Sequence, residues 1–268
     1  MTARVRATRF STFAPASIAH YLEHVWLGAP DAGDEPALAA DGGEPPELIP
    51  AAALAGRRDA LVAAMVALYG GDACAHARAL LSQWSKYYFN LAASAGFAAA
   101  LLLGRPLDMT PQRMRVVLRA GMPSALIFDA DALWPAQAEP APRYAALVDH
   151  LRATIDSLAA LAKLSPRVLW ANAGNLLDYL FEQCAHAPRA AADAAWLFGP
   201  VDARGEANPL RLPVRRVKPY SARLPDPFRA RRVCCLRNEI PGEDQLCGSC
   251  PLLLTMCDDE LAKQDAAH

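Results

Sequence analysis

Cys234-Cys235-Leu-Arg-Asn-Glu-Ile-Pro241-Gly242-Glu-Asp-Gln-Leu-Cys247-Gly-Ser-Cys250 places four cysteines within seventeen residues. Closing so short a segment around a metal costs little loop entropy, and Pro241 and Gly242 are residue types that turn a chain back on itself. The implied product is a cage of four thiolates. Zinc is one filling, since four-cysteine zinc sites are abundant, although zinc ribbons usually pair two C-x-x-C knuckles and here a vicinal pair replaces one of them. A disulfide between Cys234 and Cys235 is disfavoured, because neighbouring Cα atoms sit about 3.8 Å apart, short of the usual disulfide range. An iron–sulfur cluster is wider than a single ion and accepts ligands that a zinc tetrahedron would crowd. On the residues alone, both fillings stay open.

Outside this segment the chain reads as an ordinary globular protein. Its 268 residues suffice for one large domain or a domain with an appendage. A net charge of −1 and an apolar fraction of 53% give no charge field that points to nucleic acid. Of seven cysteines, five crowd into 234–257, which suits a reducing compartment and a metal site better than a secreted disulfide framework. Cys74 and Cys184 stand alone in apolar helical patterns and are expected to be buried; Cys257 is expected to pack on the last helix. Met1 to Ala19 has no apolar core of a signal peptide. The longest apolar run, Leu91 to Leu103, is too short to span a bilayer and reads as a buried helix. A cytoplasmic protein without an integral membrane segment is expected.

Working outward, Asp31 to Pro50 is rich in Asp, Glu, Gly and Pro and reads as a solvated loop. Apolar spacing predicts a helix over Ala51 to Tyr69, stopped by Gly70-Gly71, and another over Ala73 to Leu103 with a break near Gly96. Apolar β-formers on both sides of Ala120-Gly-Met-Pro-Ser124 predict a hairpin over 113–128. Helices follow over Arg143 to Leu164, over Arg167 to Cys184 behind the start signal Ser165-Pro166, and over Arg189 to Phe198. Val201 to Ala230 is proline-rich and reads as irregular, and a last helix is expected over Leu252 to Gln264. The fold class is α+β: a mainly helical domain over 1–200 with a small antiparallel sheet, then an irregular basic segment and a C-terminal cysteine-ligated region over 201–268.

Arg231-Arg232-Val-Cys234-Cys235 and the Cys247-Gly-Ser-Cys250 that follows closely resemble the C-terminus of the FhuF-type siderophore-iron reductases. Gln83-Trp84 with Tyr87, Leu169-Trp170-Ala-Asn172, Leu197-Phe198 and Asn208-Pro209-Leu210 resemble further family positions in the right order. The gap between Cys235 and Cys247 is eleven residues, one longer than the family pattern. The resemblance implies a 2Fe–2S cluster on Cys234, Cys235, Cys247 and Cys250, and one-electron reduction of ferric iron in a siderophore complex, releasing ferrous iron. The alternative is a zinc-stabilised cysteine-rich binding protein without redox activity. Relatedness to siderophore synthetases, whose C-terminal domains share this helical region, is a further rival, but those lack the four-cysteine tail.

Arg211, Arg215, Arg216, Lys218, Arg223, Arg229, Arg231, Arg232 and Arg237 meet only Asp226 between them. Most read as a solvated face. Arg231 and Arg232 adjoin the cysteines and are candidates for tuning the cluster or docking a donor, because cations favour its more negative reduced state. Trp84, Lys86, Trp170 and Asn172 are candidates for a substrate face, against the commoner reading of aromatic residues as core. His20 and His24, four apart, have metal-ligand spacing if helical but no third ligand, and read as surface residues. No G-x-G-x-x-G, P-loop or flavin fingerprint is present. Electrons are therefore expected from a separate protein, a ferredoxin or a flavoprotein reductase.

Overall fold

The hairpin forms, and it becomes the middle of a larger sheet. In the computed structural model, which describes residues 7–31, 33–34, 38 and 45–265, strands β1 (Thr8–Arg9), β2 (Val25–Leu27), β3 (Glu47–Pro50), β4 (Met114–Arg119) and β5 (Met122–Phe128) lie in the order β1-β2-β5-β4-β3. All pairings are antiparallel except β2 with β5, which is parallel. Ala120 and Gly121 both take positive φ, 46° and 78°, as a two-residue hairpin turn matched to strand twist requires. Pro123 is accommodated inside β5 because β2 pairs only with residues 126–128, and a register shift at Val117/Leu118 lies opposite it. Much of the stretch read as a solvated loop, residues 32, 35–37 and 39–44, lies outside the described residues, but its end is β3.

Of helices α1 (Ala16–Ala19), α2 (Arg58–Tyr69), α3 (Ala77–Leu101), α4 (Pro140–Ala162), α5 (Pro166–Gln183) and α6 (Ala190–Leu197), α2 and α3 pack on β5, α4 and α5 pack on α3, and α6 packs on α4. α3 runs through the centre and is buried along most of its length. The break expected at Gly96 is absent. A Cβ at this position would come within 2.8 Å of Leu147 and Met109, so the glycine serves a close approach of α4 rather than a kink. The helix expected from Ala51 begins with a 3₁₀ stretch, Ala51–Gly56. Cys74 is exposed rather than buried, since it sits in the turn before α3; Cys184 is buried. His20 and His24 follow α1 in a turn, so they do not share a helical face. His268 lies outside the described residues.

The segment read as irregular contains a two-stranded antiparallel sheet, β6 (Val214–Val217) with β7 (Phe228–Arg231). Four-residue strands dominated by arginine carry too little apolar alternation to be recognised in sequence. Phe228, Ala230, Leu246, Cys250, Leu253 and Leu261 form a small second core beneath them. The last helix is split into a 3₁₀ turn, Pro251–Thr255, and α7 (Asp258–Asp265). Cys257 is exposed just ahead of α7, with its backbone N–H donating to Glu260 at 2.8 Å, so it does not pack on that helix.

His150 on α4 is fully enclosed, with Nε2 2.8 Å from the Tyr88 hydroxyl and Nδ1 2.9 Å from the Met109 carbonyl. Burial pulls its pKa from 6.5 down to about 4. The unfolded chain therefore binds the extra proton first, and stability present above pH 6.5 is lost as pH falls towards 4. The expected loss is about 3 kcal/mol at most. Urea unfolding followed by circular dichroism should show this slope in the wild type and a flatter one in His150→Phe. Equal slopes would mean that His150 does not govern acid sensitivity.

Candidate metal centre

The cysteine segment is held against α3 and α5 by buried hydrogen bonds. The Cys235 carbonyl accepts from Ser82 Oγ at 2.8 Å and Gln83 Nε2 at 2.6 Å, both on α3. On α5, Asn172 Nδ2 donates to the Ser82 carbonyl at 2.9 Å and to Ser85 Oγ at 2.9 Å, while Asn172 Oδ1 accepts from the Arg231 guanidinium. From the other side, the Arg231 backbone N–H donates to the Ser249 carbonyl at 2.9 Å, tying the C-x-x-C knuckle to the end of β7. Arg78 on α3 pairs with Glu239 at 2.9 Å, and Arg237 with Glu243 at 2.5 Å, fixing the loop between the two cysteine pairs. Gly242 turns that loop at φ 83°.

These restraints bring four thiols into a ring. Cys234 faces Cys235, Cys235 Sγ lies 4.0 Å from Cys247 Sγ, Cys247 faces Cys250, and Cys250 faces Cys234. Leu236 is held in the left-handed region at φ 64°, unusual for a branched residue. That conformation aims its backbone N–H at Cys234 Sγ, 3.4 Å away. Within the ring Cys235 is the thiol that ionises first: Cys234 and Cys247 hydrogen-bond to its sulfur, and the Lys86 and Arg231 charges add to this. Cys234 and Cys250 are pushed the other way, chiefly because they donate within the ring. Cys74, Cys184 and Cys257 take no part in it.

The surroundings fit a negatively charged group. Arg231 is 1% exposed, yet among the described residues no carboxylate pairs with it, and its Nε has no hydrogen-bond partner. A buried cation without a counterion is costly. A cluster carried on four thiolates supplies that counter-charge.

The other sequence candidates separate. Trp84 is fully buried, stacked on Tyr88, and its Nε1 donates to the Gly121 carbonyl at 2.9 Å, so it faces no ligand. Lys86 and Asn172 line a cavity of about 240 Å³ together with Tyr179 and Arg229. Trp170 instead lines a cavity of about 380 Å³ on the opposite side of α5. One shared substrate face is thus replaced by two cavities, because residues 170 and 172 point roughly 200° apart around a helix. Arg232 is exposed, whereas Arg231 is sealed inside and cannot dock a partner. The basic tract is also divided: Arg216 and Arg229 pair with Asp178 and Glu182, and Arg237 with Glu243. Ser82 and Arg167 had no sequence signal, since their roles depend on contacts far along the chain.

Residues 82–223 match the family model described as "Ferric iron reductase FhuF-like transporter", and residues 231–252 match "FhuF 2Fe-2S C-terminal domain". The first match spans more than half of the chain. The chain belongs to the FhuF family of ferric iron reductase-like proteins, and its C-terminal segment is a 2Fe–2S domain. No curated protein matches it. Among solved structures it is similar to the aerobactin synthetase IucC from a hypervirulent pathotype of Klebsiella pneumoniae, at 18% identity and a TM-score of 0.45. That match covers 62% of this chain and 36% of the synthetase, a likeness too partial to bear on fold or activity.

Proposed function

We propose that the protein is a siderophore-iron reductase, in which Cys234, Cys235, Cys247 and Cys250 hold the 2Fe–2S group and one electron converts ferric to ferrous iron in a bound siderophore complex. The observation that carries this reading is the ring of four thiols set beside a buried arginine that has no carboxylate partner among the described residues. The group supplies one-electron transfer. Ferric iron is held tightly by hard oxygen donors, and ferrous iron far less so, so a single added electron frees the metal and leaves the chelator intact.

The chain's own residues do the positioning. Ser82, Gln83 and Asn172 fix the loop of Cys235 and the Arg231 head, while Lys86, 3.0 Å from Gln83 Oε1, adds a second positive charge on the Cys235 side. The electron comes from a separate donor protein, a ferredoxin or a flavoprotein reductase. Among the described residues no helix is long and apolar enough to cross a membrane, in keeping with a cytoplasmic site of action. In this reading residues 201–268 form the cluster-binding region and 1–200 the body on which it is mounted.

Chemically reduced holoprotein, mixed anaerobically with ferric hydroxamate, catecholate and carboxylate chelates, should be reoxidised, and a ferrous-specific trap should capture the iron. NADH or NADPH alone should not reduce it. Holoprotein that stays reduced across the whole panel would exclude the reductase reading.

A further inference from the structure

We infer that the cavity in front of Trp170 is the docking site for the ferric chelate, and that it selects chelates of net negative charge. This deepens the reductase reading and rests on it. The cavity, about 380 Å³, is lined by Arg167, Trp170, Asn208, Arg211, Arg232 and Val233 among others, a size within the usual range of small-ligand clefts. Val233 places it next to Cys234, the most accessible end of the thiol ring together with Cys247.

Three features give it its charge preference. Arg167, Arg211 and Arg232 are exposed around the cavity, and among the described residues no carboxylate pairs with any of them. The one hydrogen bond among their side chains runs from Arg232 Nη1 to the Arg211 carbonyl at 3.0 Å, which leaves the guanidinium charges uncompensated. The cavity also sits at the N-terminal end of α5, whose first turn contains no acidic residue, so the positive end of an 18-residue helix adds to the same field.

The arginines are held there by close packing. A Cβ on Gly174 would meet Pro213 at 2.7 Å, so the segment carrying Arg211 lies directly on α5, and the Arg232 backbone N–H donates to the Pro213 carbonyl at 3.1 Å. Asn208 is occupied in bracing this segment, donating to the Leu197 and Gly199 carbonyls at 2.8 and 3.0 Å. Trp170 presents only an edge to the cavity, since its indole is largely buried and the Arg152 guanidinium lies 5.7 Å from its ring centroid.

The cavity on the other side of α5 also carries cations, but its Lys86 and Arg231 lie on the Cys235 side, where the cluster itself would supply their counter-charge. Its Arg229 is bound to Asp178 at 2.8 Å and to Asn175 at 2.9 Å, and its Arg231 is buried. A concave pocket suits a small chelate better than the surface of an acidic donor protein, which needs a broad area of contact.

The test uses gallium(III), which copies ferric coordination but is not reduced under these conditions, so that binding is read apart from electron transfer. Calorimetry on the holoprotein should find the trianionic gallium tris-catecholate bound at least tenfold more tightly than the neutral gallium trihydroxamate. Arg167→Gln and Arg232→Gln should each weaken binding of the trianion about tenfold, about 1.4 kcal/mol, and leave the neutral complex unchanged. Arg167 has no hydrogen-bond partner among the described residues, so its variant keeps the fold. Equal affinity for the two complexes, or unchanged affinity in both variants, would overturn the inference. So would variants that bind the trianion normally but are reduced more slowly by an acidic donor protein, since the cavity rim would then be the donor's contact. Charge-selective gallium binding in a protein that fails to reduce ferric chelates would leave this site standing and remove the reductase reading instead.

Discussion

Serine at any one of Cys234, Cys235, Cys247 or Cys250 is expected to give protein without labile sulfide and without the reddish-brown colour of the wild type. The wild type, prepared anaerobically, should hold about two irons and two sulfides per chain. The reason is chemical: the serine hydroxyl stays protonated at neutral pH and is a poor ligand for iron, whereas a cysteine gives up its proton on binding metal and is a strong one. Each ring thiol touches two others, so losing one removes half of the anchorage of one iron. Serine at Cys74, Cys184 or Cys257 should leave iron and sulfide content intact, because none of these thiols reaches the ring. Bleaching by Cys257→Ser, with retention in one of the four, would require a different ligand set. Stoichiometric zinc with no sulfide in fresh wild type would contradict the 2Fe–2S assignment itself.

Arg231→Gln should separate two properties that normally move together. The guanidinium is 1% exposed, and among the described residues its hydrogen-bond partner is the neutral Asn172. Without the cluster its counter-charge must come from ionisation of the Cys235 thiol, so where that thiol stays protonated removal of the guanidinium should stabilise the apoprotein by about 1–3 kcal/mol. With the cluster, loss of a nearby cation disfavours the extra electron, and the reduction potential should fall by about 60 mV, the equivalent of a tenfold shift for a one-electron couple. Arg231→Lys keeps the charge and should restore most of the potential, though it cannot reproduce the bond geometry to Asn172. Arg232→Gln, at an exposed position, should change the potential far less because water screens it. A potential and an apoprotein stability both unchanged in Arg231→Gln would show that this arginine is packing rather than counterion.

The contrast between these neighbouring arginines shows where sequence reading stops. In the chain they are an undivided basic pair; in the fold one is sealed beneath the cysteines and the other stands at a cavity rim. Trp84 and Trp170 diverge in the same way. Both lie in helical stretches with polar neighbours, but Trp84 is consumed by the core against Tyr88 and Gly121, while the edge of Trp170 is left at a cavity. Helical periodicity says which residues share a face, and only the neighbouring elements decide whether that face is covered.

What the sequence determined by itself was local. The four cysteines are close enough in the chain for their clustering to be legible from spacing, although α3 and α5 hold the segment in place. The hairpin at 114–128 and helices α2 to α6 were legible for the same reason, since turn chemistry and apolar repeat are short-range properties. The strands before residue 50 and the pair β6–β7 were not, because a strand of two to four residues is stabilised by partners far away in the chain and leaves little pattern of its own. The tertiary structure alone decided which cation is the buried neighbour of the thiol ring, which side chains hold the Cys235 carbonyl in place, and that α5 divides the surroundings into two cavities. Those are questions of burial and of pairing between distant side chains, and burial is a property of the packed molecule, not of any stretch of it.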